Sequence, residues 1–396
     1  MAFELKTTGI KVFVSTLLLA APLQAGTPQY EVVELPSVGD IVELTRPRVI
    51  NNEGNVAGAS ADNTLTQRAA FWPNTTVVEL DPTTEPSPSE ARGISPDGLI
   101  AGWLNDPGTG LRAARWEDNQ AMLFDPLPGH IASRGSDVND NGVLVGWSID
   151  DIGDSTAVKW AGGDIVQLAE SPSLAIAVNE SNQIVGRQDV GVQRRALLWH
   201  GDQMIELPDL GGNAASPSDI NQAGAITGAS ISGETQKFHA VMWDSENHDI
   251  ADLGLYQSFP TGAEGLNNNG QIVGDATINP VTGESRALLW QNGEMINLNN
   301  MINDDSPWTL QSAQDINDDG VIVGWGIRDD AAGIRGFKLV PIQPTDINDD
   351  GTVDVNDLLA LLAAWGPCDG SCPEDVNSDG TVNVNDLLAL LADFSD

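Results

Sequence analysis

Short apolar segments alternate with polar turns along most of the chain, in an order that repeats. The clearest copy runs Asp137-Val-Asn139-Asp-Asn-Gly142-Val-Leu-Val-Gly146-Trp147, a polar loop, Ala157-Val-Lys-Trp160, Gly162-Gly163 and Ile165-Val-Gln-Leu168. These apolar stretches have the length and β-branched content of strands, and the Asn-x-x-Gly and Trp-x-x-Gly segments between them have the chemistry of hairpin turns. Helical spacing of apolar residues is absent here. The glycine that ends the second strand recurs at Gly58, Gly102, Gly146, Gly186, Gly228, Gly274 and Gly324, which marks seven units. The later tryptophan recurs as Trp72, Trp116, Trp160, Trp199, Trp243 and Trp290; in the seventh unit, Arg335-Gly-Phe-Lys-Leu339 puts leucine in its place. Four short strands and one recurrent tryptophan per unit predict an all-β, seven-bladed β-propeller over residues 28–341.

The ends of this region predict how the ring closes. Unit seven stops after its third strand, at Lys338-Leu-Val-Pro341, while Glu34-Leu35-Pro36-Ser-Val-Gly39 resembles Glu206-Leu207-Pro208-Asp-Leu-Gly211 at the end of the fourth strand of unit four. Tyr30 to Leu35 are therefore expected to be the outer strand of the last blade, which removes the exposed strand edges an open array would present. The alternative is an open solenoid, in which the N-terminal strand has no role.

Beyond a short link at 342–344 the pattern changes to that of a small helical domain, residues 345–396. Leu358 to Trp365 and Leu387 to Phe394 are rich in Leu and Ala, and each follows a twelve-residue acidic loop. Loop one offers Asp346, Asn348, Asp350, the Thr352 carbonyl, Asp354 and Asp357; loop two offers Asp375, Asn377, Asp379, the Thr381 carbonyl, Asn383 and Asp386. Oxygen donors at positions 1, 3, 5, 7, 9 and 12, with glycine at position 6 for the sharp turn, are the pattern of an EF-hand-type calcium loop, so two calcium ions are expected. Loop one has four carboxylates to loop two's three and is expected to bind more tightly. Asp315 to Gly320 begins with the same six letters as loop one, but Val323 and Gly326 stand where ligands are needed, so it is expected to be an ordinary turn.

The first 25 residues put Lys6 and Lys11 ahead of an apolar stretch, Val12 to Leu23, and end in Ala25, as a secretory signal peptide cut near Ala25 does; an uncleaved N-terminal anchor is the alternative. No other run is apolar enough to span a membrane, so the mature protein is expected outside the cell or at its surface. With 57 acidic and 18 basic residues the net charge is −39, which argues against nucleic acid as a partner, because phosphate contacts need clustered Lys and Arg. Cys368 and Cys372 flank the link between the two loops. In an oxidising compartment they are expected to pair, the alternatives being free thiols or a metal half-site.

Lys237-Phe-His239-Ala240-Val-Met-Trp243 and Arg286-Ala287-Leu-Leu-Trp290, with Leu266-Asn-Asn-Asn-Gly270-Gln-Ile-Val-Gly274, resemble the HAF-repeat family of bacterial extracellular proteins over residues 30–340, although the name-giving triplet appears here mostly as Arg-Ala-x. That resemblance implies a secreted repeat fold and no particular activity. The tail resembles a type I dockerin, which implies calcium-induced folding, docking onto a cohesin-like extracellular partner and membership of a polysaccharide-degrading assembly. It departs from that family at loop positions 10 and 11, where Val355-Asn356 and Val384-Asn385 replace small hydroxyl residues.

No catalytic motif stands out. The four histidines show no zinc spacing and no Gly-x-Ser-x-Gly elbow occurs; His239 stands where other units have arginine, which suits a structural role. Trp103, Trp147 and Trp325 follow the blade glycine; packing between blades is the commoner fate of a strand tryptophan, and stacking on sugar rings at the channel mouth the alternative. The expectation is a non-catalytic propeller that binds an extracellular ligand, carbohydrate among them, or serves as a scaffold. The alternative is a polysaccharide-active hydrolase of O-glycosyl bonds delivered by the tail.

Overall fold

A computed structural model describes residues 29–39, 44–80, 87–348, 352–368, 372–377 and 379–394. The signal-peptide expectation falls on residues outside these. Among the described residues the fold is mostly β, with two α-helices, both in the C-terminal segment. The strands form successive four-stranded antiparallel units spanning 45–79, 89–124, 132–167, 173–207, 211–254, 261–297 and 308–341, numbered here in chain order. Units 4 and 5 are joined by a single parallel pair, Arg194 with Ala214.

The last unit takes its outer strand from the N-terminal segment. Tyr30–Glu34 pairs antiparallel with Ala331–Pro341, Tyr30 opposite Pro341 and Glu34 opposite Phe337. Unit 7 in turn packs on unit 1, where Leu35, Ile50, Trp72 and Val323 share one apolar cluster. Each further cluster of the ring likewise lies between neighbouring units, such as Ala57, Ala69 and Leu80 with Ala91, Ile100 and Trp116. The units thus follow one another around a closed ring, as the blades of a β-propeller do.

The recurrent residues have specific work at these junctions. Trp72, Trp116, Trp160, Trp199, Trp243 and Trp290 each sit opposite Val or an Ile or Leu of the second strand, and Leu339 fills the same place opposite Ile322. Except in Trp116, whose buried indole nitrogen has no partner among the described residues, the indole N–H groups reach back toward the preceding unit: Trp160 to the Asp125 carbonyl at 2.9 Å, Trp199 to Leu168 at 3.0 Å, Trp243 to Pro208 at 2.8 Å and Trp290 to Leu253 at 3.2 Å. The alanine of the Arg-Ala or His-Ala pair is fully buried, and in Ala69, Ala113 and Ala240 its N–H donates to a hydroxyl on the next unit, Ser89, Ser133 or Thr261. Gly146 is required by close approach: a Cβ there would lie 2.0 Å from the Arg134 carbonyl oxygen, because the inner strand bulges opposite it.

In the tail, α1 (Val355–Ala363) and α2 (Val384–Ala392) begin three residues before the helices expected at Leu358 and Leu387, and end before Trp365 and Phe394. The cause is local. Asp354 and Asn383 cap the helices through their side chains, and Asp357 and Asp386 at the third helical position bond back to the cap backbone, so the capping box starts each helix inside its loop. Val353, Leu361, Val382 and Leu390 form the small core between the helices. Cys368 and Cys372 are joined by a disulfide, with Cα atoms 5.9 Å apart.

Candidate functional site: the ring channel and the tail loops

One end of the ring is tied by two concentric hydrogen-bond circuits. The Asn at the first turn position of every unit except unit 2 accepts, through its side-chain oxygen, the N–H four residues on, as Asn267 does from Gln271 N at 3.0 Å. Its amide nitrogen donates to the backbone of the next unit: Asn139 to Asn179, Asn179 to Asn221, Asn221 to Asn267, Asn267 to Asn317 and Asn317 to Asn51, at 2.9–3.2 Å. At the second turn position, the N–H of Glu180, Gln222, Asn268 and Asp318 donates to a side-chain oxygen of Gln222, Asn268, Asp318 and Asn52. Unit 2, with Ser95-Pro96, has neither the amide nor the N–H. The sequence shows these asparagines, but their role appears only once the turns are brought side by side.

Beneath that end lies a cavity of about 450 Å³. Ile50, Val138, Val178, Ile220, Leu266 and Ile316, all buried, form an aliphatic collar. Below the collar each inner strand carries a bulge, and the residue passed over there faces the cavity: Arg48, Arg92, Ser136, Ile176, Ser218, Glu264 and Gln314, in ring order. The layer is polarised, with arginines on units 1 and 2 and a carboxylate on unit 6.

Glu90, buried, organises the basic side. It pairs with Arg48 at 3.0 Å and Arg92 at 3.8 Å and accepts from the Trp103 indole at 3.2 Å. Burial alone would raise its carboxyl, but Arg92 and Arg48 overcome that and hold it below the ordinary range. Arg92 stands 6.0 Å from the Trp147 ring centre and Arg134 stands 4.7 Å from that of Trp103. Burial pulls the Arg92 guanidinium below its usual value, and Arg48 and Arg134 add to the effect. Trp103, Trp147 and Trp325 are half-buried, so the expectation that they only fill core is corrected: Trp147 lines the cavity and two of the three support guanidinium groups.

Other acids around the ring are desolvated. Asp137, Asp219 and Asp315 accept N–H bonds from Val178 at 2.8 Å, Leu266 at 3.1 Å and Ile50 at 2.8 Å, each on the next unit. Burial pushes Asp137 up to about 8 and Asp219 to about 6, raises Asp315, and lifts the channel-facing Glu264 to about 7 with help from the charge of Asp275. His239 bridges Asp252 and Thr235 at 2.9 and 2.7 Å, where Arg195 pairs with Glu206 one unit earlier, and so closes a sheet edge. Asp315 to Gly320 is a hairpin turn of the ring, as expected.

In tail loop two, Asp379 N donates to Asp375 at 3.1 Å and Asn377 at 2.9 Å, Gly380 N to Asp375 at 2.8 Å, and the Asn383 amide to Asp379 at 3.3 Å and to the Thr381 carbonyl at 2.8 Å. Positions 1, 3, 5, 7 and 9 therefore share one turn. Asp386 is fully buried and accepts from Asn377 and Asn383 N–H at 3.1 and 2.8 Å. Loop one repeats this: Asp357, equally buried, accepts from Ile347, Asn348 and Asp354 N–H at 2.8, 3.1 and 2.8 Å. Asp346, Thr352 and Asp354 lie in the same loop, whereas Asp350 is outside the described residues. Among the described residues no three His, Cys, Asp or Glu side chains are gathered tightly enough to hold a metal. The donors nonetheless suit one, because residues 345–396 contain twelve acids and no Lys, Arg or His. Nothing within the segment can neutralise the buried Asp357 and Asp386, which is the situation a hard cation with oxygen ligands resolves.

No family model matches the chain, and no curated protein matches it. Solved structures similar to it include TolB from Acinetobacter baumannii (10% identity, TM-score 0.43), of which the chain spans 63% and which covers 63% of the chain. YCF48 bound to D1 peptide (14%, TM-score 0.48) covers 82% of the chain with 98% of its own, and a TolB from Agrobacterium tumefaciens (11%, TM-score 0.43) covers 75% with 99%. Among the described residues no helix is long and apolar enough to cross a membrane.

Proposed function

We propose that the chain is a secreted, non-catalytic binding module: a seven-bladed propeller at residues 28–341, attached to an extracellular partner by a calcium-folded, dockerin-like tail at 345–396. The observation that carries this reading is the tail's chemistry, two buried carboxylates in a segment without a basic residue, on loops whose oxygens follow the calcium-loop pattern. The ligands are Asp346, Asn348, Asp350, Thr352, Asp354 and Asp357 for one ion, and Asp375, Asn377, Asp379, Thr381, Asn383 and Asp386 for the other.

The exposed faces of the two helices support attachment. Both have the sequence Val-Asn-Asp-Leu-Leu-Ala-Leu-Leu-Ala, and after packing they leave Leu359 at 60% and Leu388 at 61% exposure, beside Leu362, Trp365, Leu391 and Phe394. Two equivalent apolar patches suit a cohesin-like protein surface better than water. Calorimetric titration of the metal-free full-length protein is expected to show two calcium sites that magnesium does not fill; absence of calcium heat removes the reading. Leu359→Glu with Leu388→Glu is expected to abolish cohesin binding without changing calcium uptake.

A further inference from the structure

We propose that the propeller channel binds a small organic carboxylate, about the size of a sugar acid, through Arg92 and Arg187 on either side of Trp147. This rests on reading the propeller as a binding module and names the chemistry of its ligand.

The distribution of positive charge is the starting point. A chain of net charge −39 sets Arg48, Arg92 and Arg187 in the cavity lining, on units 1, 2 and 4, with Arg134 of unit 3 against Trp103. Glu90 is the carboxylate in ion-pair contact with that group, and it serves Arg48 and Arg92. Among the described residues Arg134 and Arg187 have no ion pair within 4 Å, and the Nε atom of each is buried without an acceptor, as it also is in the ion-paired Arg112, Arg115, Arg195 and Arg335. Arg134 and Arg187 are half-buried, and Arg187 has Asp189 as a favourable neighbouring charge and Arg194 as an unfavourable one, so each keeps N–H groups that a further anion could take. Their placement is accounted for if an anion completes them.

The geometry suits a carboxylate. Arg92 is held beside the face of Trp147 with one terminal nitrogen paired to Glu90 at 3.8 Å, so its remaining N–H groups are the ones open to a carboxylate oxygen. Arg187 follows the blade glycine on the next unit, in the position that Trp147 has on its own, so the two arginines flank the indole along the cavity wall. The cavity volume is that of a small-molecule site. Across it, Ser218 and Glu264 offer hydroxyl and carboxyl groups in one layer, which match the hydroxyls of a polyol acid, while the Gln314 amide is engaged by Arg48 and Ser312. The acids of that arc face the ligand's neutral end, and burial already shifts them toward their uncharged forms.

Full-length, calcium-saturated protein is titrated calorimetrically with glucuronate, glucose and inorganic phosphate. The expected result is saturable glucuronate binding, at least tenfold weaker in Arg92→Gln and in Arg187→Gln, with no heat from glucose. Arg187→Lys, which keeps the charge and loses the fork, is expected to weaken binding while leaving the near-ultraviolet spectrum unchanged, so a loss of binding is separated from a loss of fold. No binding at 10 mM glucuronate, variants that bind as the parent does, or phosphate binding as tightly as glucuronate would each overturn the proposal. An Asp386→Ala chain distinguishes the two readings: channel binding is expected to survive in it, and failure of glucuronate to bind leaves calcium uptake and cohesin docking as separate measurements.

Discussion

The Trp72 indole donates to the Pro36 carbonyl at 2.7 Å, and this bond joins unit 1 to the N-terminal strand. It has the same form as the bond from Trp243 to Pro208, which joins two units consecutive in the chain. Glu34 strengthens the closure by pairing with both Arg328 and Arg335 on the last unit. The junction that shuts the ring is thus built like those at Trp160, Trp199, Trp243 and Trp290. Trp72→Phe and Trp243→Phe, which keep an aromatic ring and delete the donor, should therefore cost the same, about 1–3 kcal/mol each for leaving a buried carbonyl without its partner. Urea midpoints measure this; a Trp72→Phe cost near zero beside a normal one for Trp243→Phe would mean that the ring is not closed.

The asparagine circuit makes a second prediction. Asn267→Ala removes the acceptor of Gln271 N and the donor to the Asn317 carbonyl together, while Ser95→Ala removes only the acceptor of Leu99 N. With about 1 kcal/mol for each net hydrogen bond, and more where a buried group is stranded, Asn267→Ala should be at least twice as destabilising. Equal shifts in the urea midpoint would show that the link between units contributes nothing.

Much of this architecture was legible in the residues, for a physical reason. Gly146 and Trp160 are dictated by close backbone approach and by a junction that recurs, so any one unit reveals the others, and Glu34-Leu35-Pro36 could be matched to Glu206-Leu207-Pro208 before the strand pairing was known. The channel was not legible. Whether Arg92 points inward depends on a bulge that reverses the side-chain alternation of its strand, and sequence periodicity does not mark bulges. Trp147 is hidden from a local pattern for a different reason: its neighbour is an arginine from another unit. The helices start three residues earlier than the Leu-Ala pattern indicates because Asp357 and Asp386, at the last position of each acidic loop, also close the capping boxes. The tail's lack of any basic residue was there to be seen and is the strongest single signal for a bound cation.

The buried acids set the pH response of the propeller. Asp137 has an ordinary value of 3.8 and is pushed up to about 8 in the fold by burial, with the carboxylates of Asp219 and Glu180 adding and the N–H groups of Val178 and Val138 opposing. The folded state therefore holds a proton that the unfolded chain has released between these values. Stability from this group is complete below about pH 4 and is lost as pH rises toward 8. Glu264, raised to about 7, and Asp275, raised to about 6, act in the same direction. Melting followed by tryptophan fluorescence should be higher at pH 5.5 than at pH 8.5, and Asp137→Asn should flatten the difference. A parent protein more stable at pH 8.5 would contradict the assignment.

Calcium should control the tail and leave the propeller alone. Without a cation, twelve acids stand in a segment with no base, and the helices depend on capping boxes whose acids close the metal loops. The tail core is small, four fully buried side chains, so it has little apolar burial to set against that repulsion. Ring stability comes from inter-unit clusters and hydrogen bonds that contain no loop residue. Limited proteolysis of the full chain should therefore cut within residues 345–396 when a chelator is present, leave a resistant propeller fragment, and spare the tail when calcium is restored. Of the two loops, the one with four carboxylates should fill first, so Asp350→Ala should weaken calcium binding more than Asp379→Ala. A tail equally resistant with and without chelator would show that its helices stand without metal, and the reverse order of the two variants would show that loop charge does not rank the sites.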